Sequence, residues 1–236
     1  MTVMRVGAIT HVGQVRKVNQ DGYLIRDSLL AVADGMGGHQ AGEVASSLAL
    51  KVIAEWPFDR DNPLPSLQEA AAHANLRILR LAEENQELAG MGTTLSAALV
   101  MDKKAYIAHI GDSRIYRWDG KKLHQLTEDH SIVAELVRSG ALSEREALVH
   151  PHRNVLTRSL GTAPQVFFDL KEENLDDGDI LVLCTDGLYS LITEDELGNI
   201  LTSYADPQQA AERLVELANE RGGHDNITAL VAAMGE

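Results

Sequence analysis

Four aspartates in this sequence share one local setting, the end or start of a strongly apolar run. Asp34 closes Leu29-Leu30-Ala31-Val32-Ala33 and is followed by Gly35. Asp112 follows Tyr106 to Gly111, Asp186 follows Ile180 to Thr185 and precedes Gly187, and Asp225 stands just ahead of Ile227 to Val231. An Asp-Gly at a strand end is ordinarily a turn signal, and any one of the four taken alone would be read so. Core strands lying side by side would gather such ends, and two carboxylates 4 Å apart repel by roughly 4 kcal/mol at an effective dielectric near 20. Three of the four have no Arg or Lys close by in sequence, which leaves bound cations as the natural compensation. Oxygen ligands of this kind suit a hard ion such as Mg²⁺ or Mn²⁺. Gly35 fits the same picture, because a residue without a side chain lets its carbonyl approach an ion closely. Zinc would call for His or Cys at regular spacing; His150-x-His152 is isolated and reads as surface. One basic element, Arg16-Lys17, lies ahead of the Asp34 run. A guanidinium matches phosphate oxygens bidentately, although an Arg-Lys pair by itself is usually a solvated one.

The elements that must position these residues are mostly short. Apolar or alternating runs predict strands at Met4–Thr10, Tyr23–Asp27, Leu29–Ala33, Thr94–Met101, Lys104–Ile110, Ser113–Trp118, Lys121–Gln125, Val166–Asn174, Ile180–Cys184 and Ile227–Met234. Helical spacing covers Glu43–Trp56, and Leu67–Leu88 after the start signal Pro65-Ser66. It recurs over Glu194–Leu201 and over Pro207–Glu220, where Asp206 is the N-cap and Pro207 takes the first helical position. This order is not the βαβα alternation of a doubly wound sheet. It predicts an α+β fold, an antiparallel β-sandwich with pairs of helices outside its two sheets. The polar, histidine-containing stretch Asp129–Gly161 reads as an insert packed on the sandwich. With no repeat, linker or low-complexity tract, residues 1–236 are expected to form a single domain.

Composition narrows the function. The 236 residues carry a formal net charge of −14 and are 44% hydrophobic, which is ordinary for a globular protein. That charge repels phosphate backbones and anionic lipid, so neither nucleic acid nor a membrane surface is expected as partner. A phosphorylated substrate meets the same repulsion, and bound metal is the simplest source of local positive charge. Cys184 is the single cysteine; inside an apolar run it reads as a buried thiol. No signal peptide and no transmembrane stretch is visible, so a cytoplasmic location is expected.

Six short motifs then fall in a recognisable order: Arg16-x-x-Asn19-Gln20-Asp21, Val32-Ala33-Asp34-Gly35-Met36-Gly37-Gly38-His39, Met91-Gly92-Thr93-Thr94, His109-Ile110-Gly111-Asp112-Ser113-Arg114, Cys184-Thr185-Asp186-Gly187-Leu188 and Gly223-His224-Asp225-Asn226. Together they resemble the bacterial metal-dependent serine/threonine protein phosphatases of type 2C, over about Val6 to Val231. The resemblance implies a four-layer αββα catalytic domain with a mobile helical flap at about 131–160. It implies two tightly bound Mn²⁺ or Mg²⁺ ions and a weaker third, with no organic cofactor. Asp34 would bridge two metals, the Gly35 carbonyl would bind the first, and Asp186 and Asp225 would complete the second. Asp112, with Asp186, would hold the third; Asp21 would act through metal-bound water, and Arg16 would take the substrate phosphate. The implied reaction is hydrolysis of phosphoserine and phosphothreonine monoesters by direct attack of a metal-bridging water or hydroxide. Eukaryotic relatives place a histidine directly after Asp-Gly. Here that residue is Met36, which leaves the leaving-group proton to His39 or to a metal-bound water. Phosphorylated proteins, a cognate Ser/Thr kinase and a monomeric state are the expected partners and assembly.

Two other readings use the same residues. A metal-dependent phosphodiesterase or nuclease would want a basic stripe that the chain lacks. A catalytically dead scaffold would have lost an aspartate, and none is missing.

Overall fold

The structure, a computed structural model, describes residues 4–38, 41–147 and 149–235. Its strands are β1 (Met4–His11), β2 (Asp21–Arg26), β3 (Leu29–Met36), β4 (Gly92–Thr93), β5 (Leu95–Met101), β6 (Lys104–Ile110), β7 (Arg114–Trp118), β8 (Leu123–Gln125), β9 (Asp169–Asn174), β10 (Ile180–Cys184) and β11 (Ile227–Met234). The helices are α1 (Ala41–Glu55), α2 (Pro63–Glu84), α3 (Ile132–Arg138), α4 (Glu144–Ala147), α5 (Asp186–Tyr189), α6 (Glu194–Ser203) and α7 (Pro207–Glu220).

The strands form two antiparallel sheets. One runs β1-β11-β10-β7-β8; the other runs β2-β3-β5-β6-β9, with the short β4 paired to the end of β3. Alternation along each strand divides its side chains between two apolar layers. Leu30 and Val32 of β3 meet Leu181 and Leu183 of β10 and Leu230 and Ala232 of β11 between the sheets. Leu29, Ala31 and Ala33 point the other way, into a layer with Ala45, Ala49 and Ile53 of α1 and Ala71, Ala74 and Ile78 of α2. Val182, Cys184, Ala229 and Val231 likewise face Leu197 and Leu201 of α6 and Leu214 and Val215 of α7. The result is the expected αββα arrangement, and Cys184 is fully buried. Each fully buried Leu or Ile in these layers is worth about 1.5–3 kcal/mol.

Boundaries differ from the expected ones for local reasons. α2 starts at Pro63, one turn before Leu67, because Pro63 and Pro65 both fall in the first turn, where the missing N–H would have had no helical partner. Its last expected turn becomes a separate 3₁₀ turn, Gln86–Leu88, capped by the Asn85 side chain. β9 begins only at Asp169, and α5 arises directly after β10 where no helix was expected.

The stretch between Ser131 and Leu160 carries α3 and α4, and none of its described residues from Ile132 to Arg158 is buried. It is held at its two ends, by bridges Ser131–Leu156 and Thr93–Leu160 and by Thr157 N–H donating to the His130 carbonyl at 2.8 Å. Few buried contacts and exposed backbone bonds are the attributes of a segment that opens more easily than the sandwich beneath it.

Candidate metal centre

Strand alternation places the acids. Asp34 continues the Leu30–Val32 face of β3, so its side chain emerges where the layer between the sheets ends. Asp21 is its direct cross-strand partner on β2. From the opposite sheet, Thr185 continues the Leu181–Leu183 face of β10, and Thr228 precedes Leu230 on the same face of β11. Both hydroxyls donate to Asp21 Oδ2, at 2.7 and 2.8 Å. The last layer of the sandwich core is thus polar, and it ties the two sheets together through one carboxylate.

Asp186 opens α5. Gly187 behind it lies so close to Asn226 that a Cβ would come within 2.0 Å of the Asn226 carbonyl oxygen, which keeps the Asp186 and Asp225 segments together. Asn226 donates from its side chain to the carbonyls of Val12 and Val18, each at 3.0 Å, and accepts from Gln20 N–H. It fastens the Arg16 loop to the same end of the molecule. Arg16 then donates to Asp225 Oδ2 at 2.8 Å, a bond that raises its pKa. Gly35 has a packing reason of its own, since a Cβ there would lie 2.1 Å from the Gly42 carbonyl oxygen in the first turn of α1. Asp112 follows Gly111 at the end of β6. Its carbonyl accepts from the Tyr189 hydroxyl at 3.0 Å, and the Arg114 guanidinium lies 3.7 Å above the Tyr189 ring while holding Asp129 through two bonds.

Sealing so much negative charge under the sandwich rim has an electrostatic cost. Burial is the main cause in every case, with the neighbouring aspartates adding to it. Asp21 is pushed up to about 7 and Asp186 to about 6. Asp34 and Asp112 rise well above the ordinary carboxylate range. Asp34 feels Asp21, Asp186, Asp112 and Asp225 together, so five of the acids singled out by sequence share one electrostatic site. Two of its oxygens, Asp21 Oδ1 and Asp186 Oδ1, are shut off from solvent with no hydrogen-bond partner. A sealed, orphaned carboxylate oxygen among like charges is what a divalent cation would satisfy. Among the described residues, no three His, Cys, Asp or Glu side chains by themselves form a metal-holding group. A Mg²⁺-like site asks for only one or two carboxylates, the remainder being water and carbonyl oxygen, so the residues present fit such an ion.

His39 lies outside the described residues. His150 and His152 meet edge to face in the insert, neither of them buried, as the surface reading expected. Sequence reasoning quoted Thr185 and Asn226 within the motifs without a role for either, and it missed Thr228 and Tyr189. For the two threonines a signal existed, a hydroxyl in the next inward position of an apolar strand beside an acid. For Asn226 and Tyr189 there was none, because their partners lie far away in the chain.

Three comparisons bear on this geometry. The family model described as Protein phosphatase 2C matches residues 13–229. The protein phosphatase PhpP of Streptococcus pneumoniae serotype 2 is 39% identical over 99% of this chain and 98% of its own length. Among solved structures, the Mycobacterium tuberculosis serine/threonine phosphatase PstP/Ppp superimposes with a TM-score of 0.93 at 37% identity, covering 100% of both chains. A structure of the PstP catalytic domain in complex with two manganese ions gives a TM-score of 0.93 at 35% identity, also covering 100% of both chains.

Proposed function

The chain belongs to the protein phosphatase 2C family, and from that premise we infer that it is a metal-dependent phosphatase of phosphoserine and phosphothreonine in proteins. The observation that carries the reading is the set of aspartates at one end of the sandwich, with the pKa values of Asp21, Asp34, Asp112 and Asp186 raised and two oxygens orphaned. Asp34, Asp186, Asp225 and the Gly35 carbonyl would hold two Mn²⁺ or Mg²⁺ ions. Asp112 with Asp186 would hold a weaker third, and Asp21 would orient metal-bound water. Such ions supply a nucleophilic water near neutral pH and charge stabilisation for the phosphoryl group.

The chain's own residues set the rest. Arg16, half exposed and at the lip of the acid cluster, presents a planar fork to the phosphate oxygens. Asp225 aligns that fork from behind. Thr185 and Thr228 spend their protons on Asp21 Oδ2, which fixes its carboxylate plane and leaves Oδ1 buried without a partner. Gly187 and Asn226 keep the Asp186 and Asp225 segments from separating. The proton for the leaving serine or threonine oxygen is assigned to His39 or to metal-bound water. We read residues 1–236 as one catalytic domain whose segment 131–160 is a flap contacting the protein substrate. The enzyme acts as a monomer in the cytoplasm against a Ser/Thr kinase. No described helix is long and apolar enough to cross a membrane.

Asp34→Asn, Asp186→Asn and Asp225→Asn should each lose most turnover with the fold intact. Mn²⁺ calorimetry paired with hydrolysis of p-nitrophenyl phosphate and a phosphothreonine peptide is the test. Near-wild-type rates in any of the three would remove that residue from the inner site, and preference for bis(p-nitrophenyl) phosphate would overturn the monoesterase reading.

A further inference from the structure

His130 is fully buried and lies outside the acid cluster, yet every polar atom it has is committed, and the commitments join the flap to the Asp112 turn. Its N–H donates to the Gly111 carbonyl at 2.8 Å, and Gly111 N–H donates back to His130 Nδ1 at 3.1 Å. Because Nδ1 accepts, the ring proton is on Nε2, which donates to Asp169 Oδ2 at 3.1 Å. Asp169 Oδ1 accepts from Arg158 at the far end of the flap, at 2.9 Å. The His130 carbonyl accepts from Thr157, the residue before. One side chain therefore holds the residue before Asp112 with one nitrogen and, through Asp169 at the start of β9, reaches Arg158 at the flap's exit with the other.

The Asp112 turn has little freedom to compensate. Gly111 has φ +107°, and a Cβ there would lie 2.5 Å from the Thr94 side chain. The turn is confined between Thr94, which also accepts from Asp34 N–H, and the His130 ring.

We propose that His130 is a positioning residue that fixes the Asp112 turn with one ring nitrogen and, through Asp169 and Arg158, the flap's exit with the other, so that losing the first bond weakens the weak metal site and losing the second weakens phosphoprotein binding. This rests on the reading of Asp112 as a weak-site ligand and of the flap as a substrate contact. Burial lowers the His130 pKa, so the neutral ring that the geometry requires is the form present at neutral pH. Groups that hold a metal ligand in place from outside the coordination shell cost about 10- to 100-fold in metal affinity or activity when lost.

The two nitrogens can be separated. Asparagine places its oxygen near Nδ1 but does not reach Asp169, whereas glutamine reaches Asp169 but puts no acceptor at Nδ1. His130→Gln should weaken the low-affinity Mn²⁺ site about tenfold by calorimetry and speed hydrogen exchange of the Gly111 amide. His130→Asn should leave that site within about twofold while raising KM for a phosphothreonine peptide about tenfold, with faster exchange at Thr157. If the His130 variants do not fold, Asp169→Ala is expected to reproduce the His130→Asn pattern. Equal losses on the peptide and on p-nitrophenyl phosphate in both His130 variants, or no change in either, would overturn the proposal. Asp112→Asn separates the two levels. If it leaves weak-site binding unchanged, the Asp112 reading itself falls, and this proposal with it. If it abolishes weak-site binding while His130→Gln does not shift it, only the role of His130 falls.

Discussion

Replacing Asp21 by Asn should make the metal-free protein more stable above neutral pH. Asp21 is driven from an ordinary carboxylate value of 3.8 up to about 7, chiefly by burial. The native state then binds its proton more tightly than the unfolded chain does between those two values. Stability from this group is fully present below about pH 4 and is lost as pH rises through about 7. A shift of about three pH units at 1.36 kcal/mol each gives roughly 4 kcal/mol of destabilisation at pH 8. The variant escapes it: one amide oxygen can accept from both Thr185 and Thr228, and no charge is buried at position 21. The raw profile of the wild type will not show this cleanly. Burial lowers His109 to about 3, so His109 withdraws stability as pH falls from 6.5, in the opposite sense. The difference between variant and wild type removes that term. Urea unfolding of both proteins in EDTA, from pH 4.5 to 8.5, should show the variant's advantage growing by several kcal/mol as pH rises. An advantage that is constant, or that shrinks with rising pH, would refute the burial argument for this carboxylate.

Two further outcomes follow from contacts described above. Arg16→Ala should raise KM for p-nitrophenyl phosphate and for a phosphopeptide alike, by about 1.5–3 kcal/mol, the loss of a charge-assisted hydrogen bond; steady-state kinetics on both substrates tests it, and a peptide-only effect would move Arg16 away from the phosphate. Asp206→Ala should cost about 1 kcal/mol of stability through loss of the α7 cap, in which its carboxylate accepts from Gln208 and Gln209 N–H at 2.8 and 3.0 Å; denaturant unfolding reads it, and kcat/KM should be unchanged.

Much of the sandwich and its acid cluster could be read from the sequence because both rest on one-dimensional periodicity. Leu30, Val32 and Asp34 share a parity, as do Leu181, Leu183 and Thr185, and the end of an apolar run marks where that parity reaches the rim. Asp206-Pro207 announced α7 because a cap is a local bond. What escaped was set by long-range partners. The Asn226 clamp spans more than 200 residues. Tyr189 owes its place to Arg114 and to the Asp112 carbonyl, and nothing in Gly187-Leu188-Tyr189 foretells either. α5 went unread because four residues are too few to show a helical period. His130 looked like one more polar residue of the insert, since burial of a histidine leaves no trace in composition.

The position of β11 has a consequence for how the molecule comes into being. This strand pairs with β1 on one side and β10 on the other, so β1 has no sheet to join until more than 210 residues have followed it. Pairings of such sequence separation are slow to close, since the loop entropy is lost before the contacts are made. The other sheet, built from β2 to β9, has no such dependence on the C-terminal strand. A ribosome-bound chain can assemble that half first, with Asp34 already at its strand end, while Asp225 arrives only with β11. On the reading of Asp225 as a metal ligand, the metal centre would be complete only once this strand has been made.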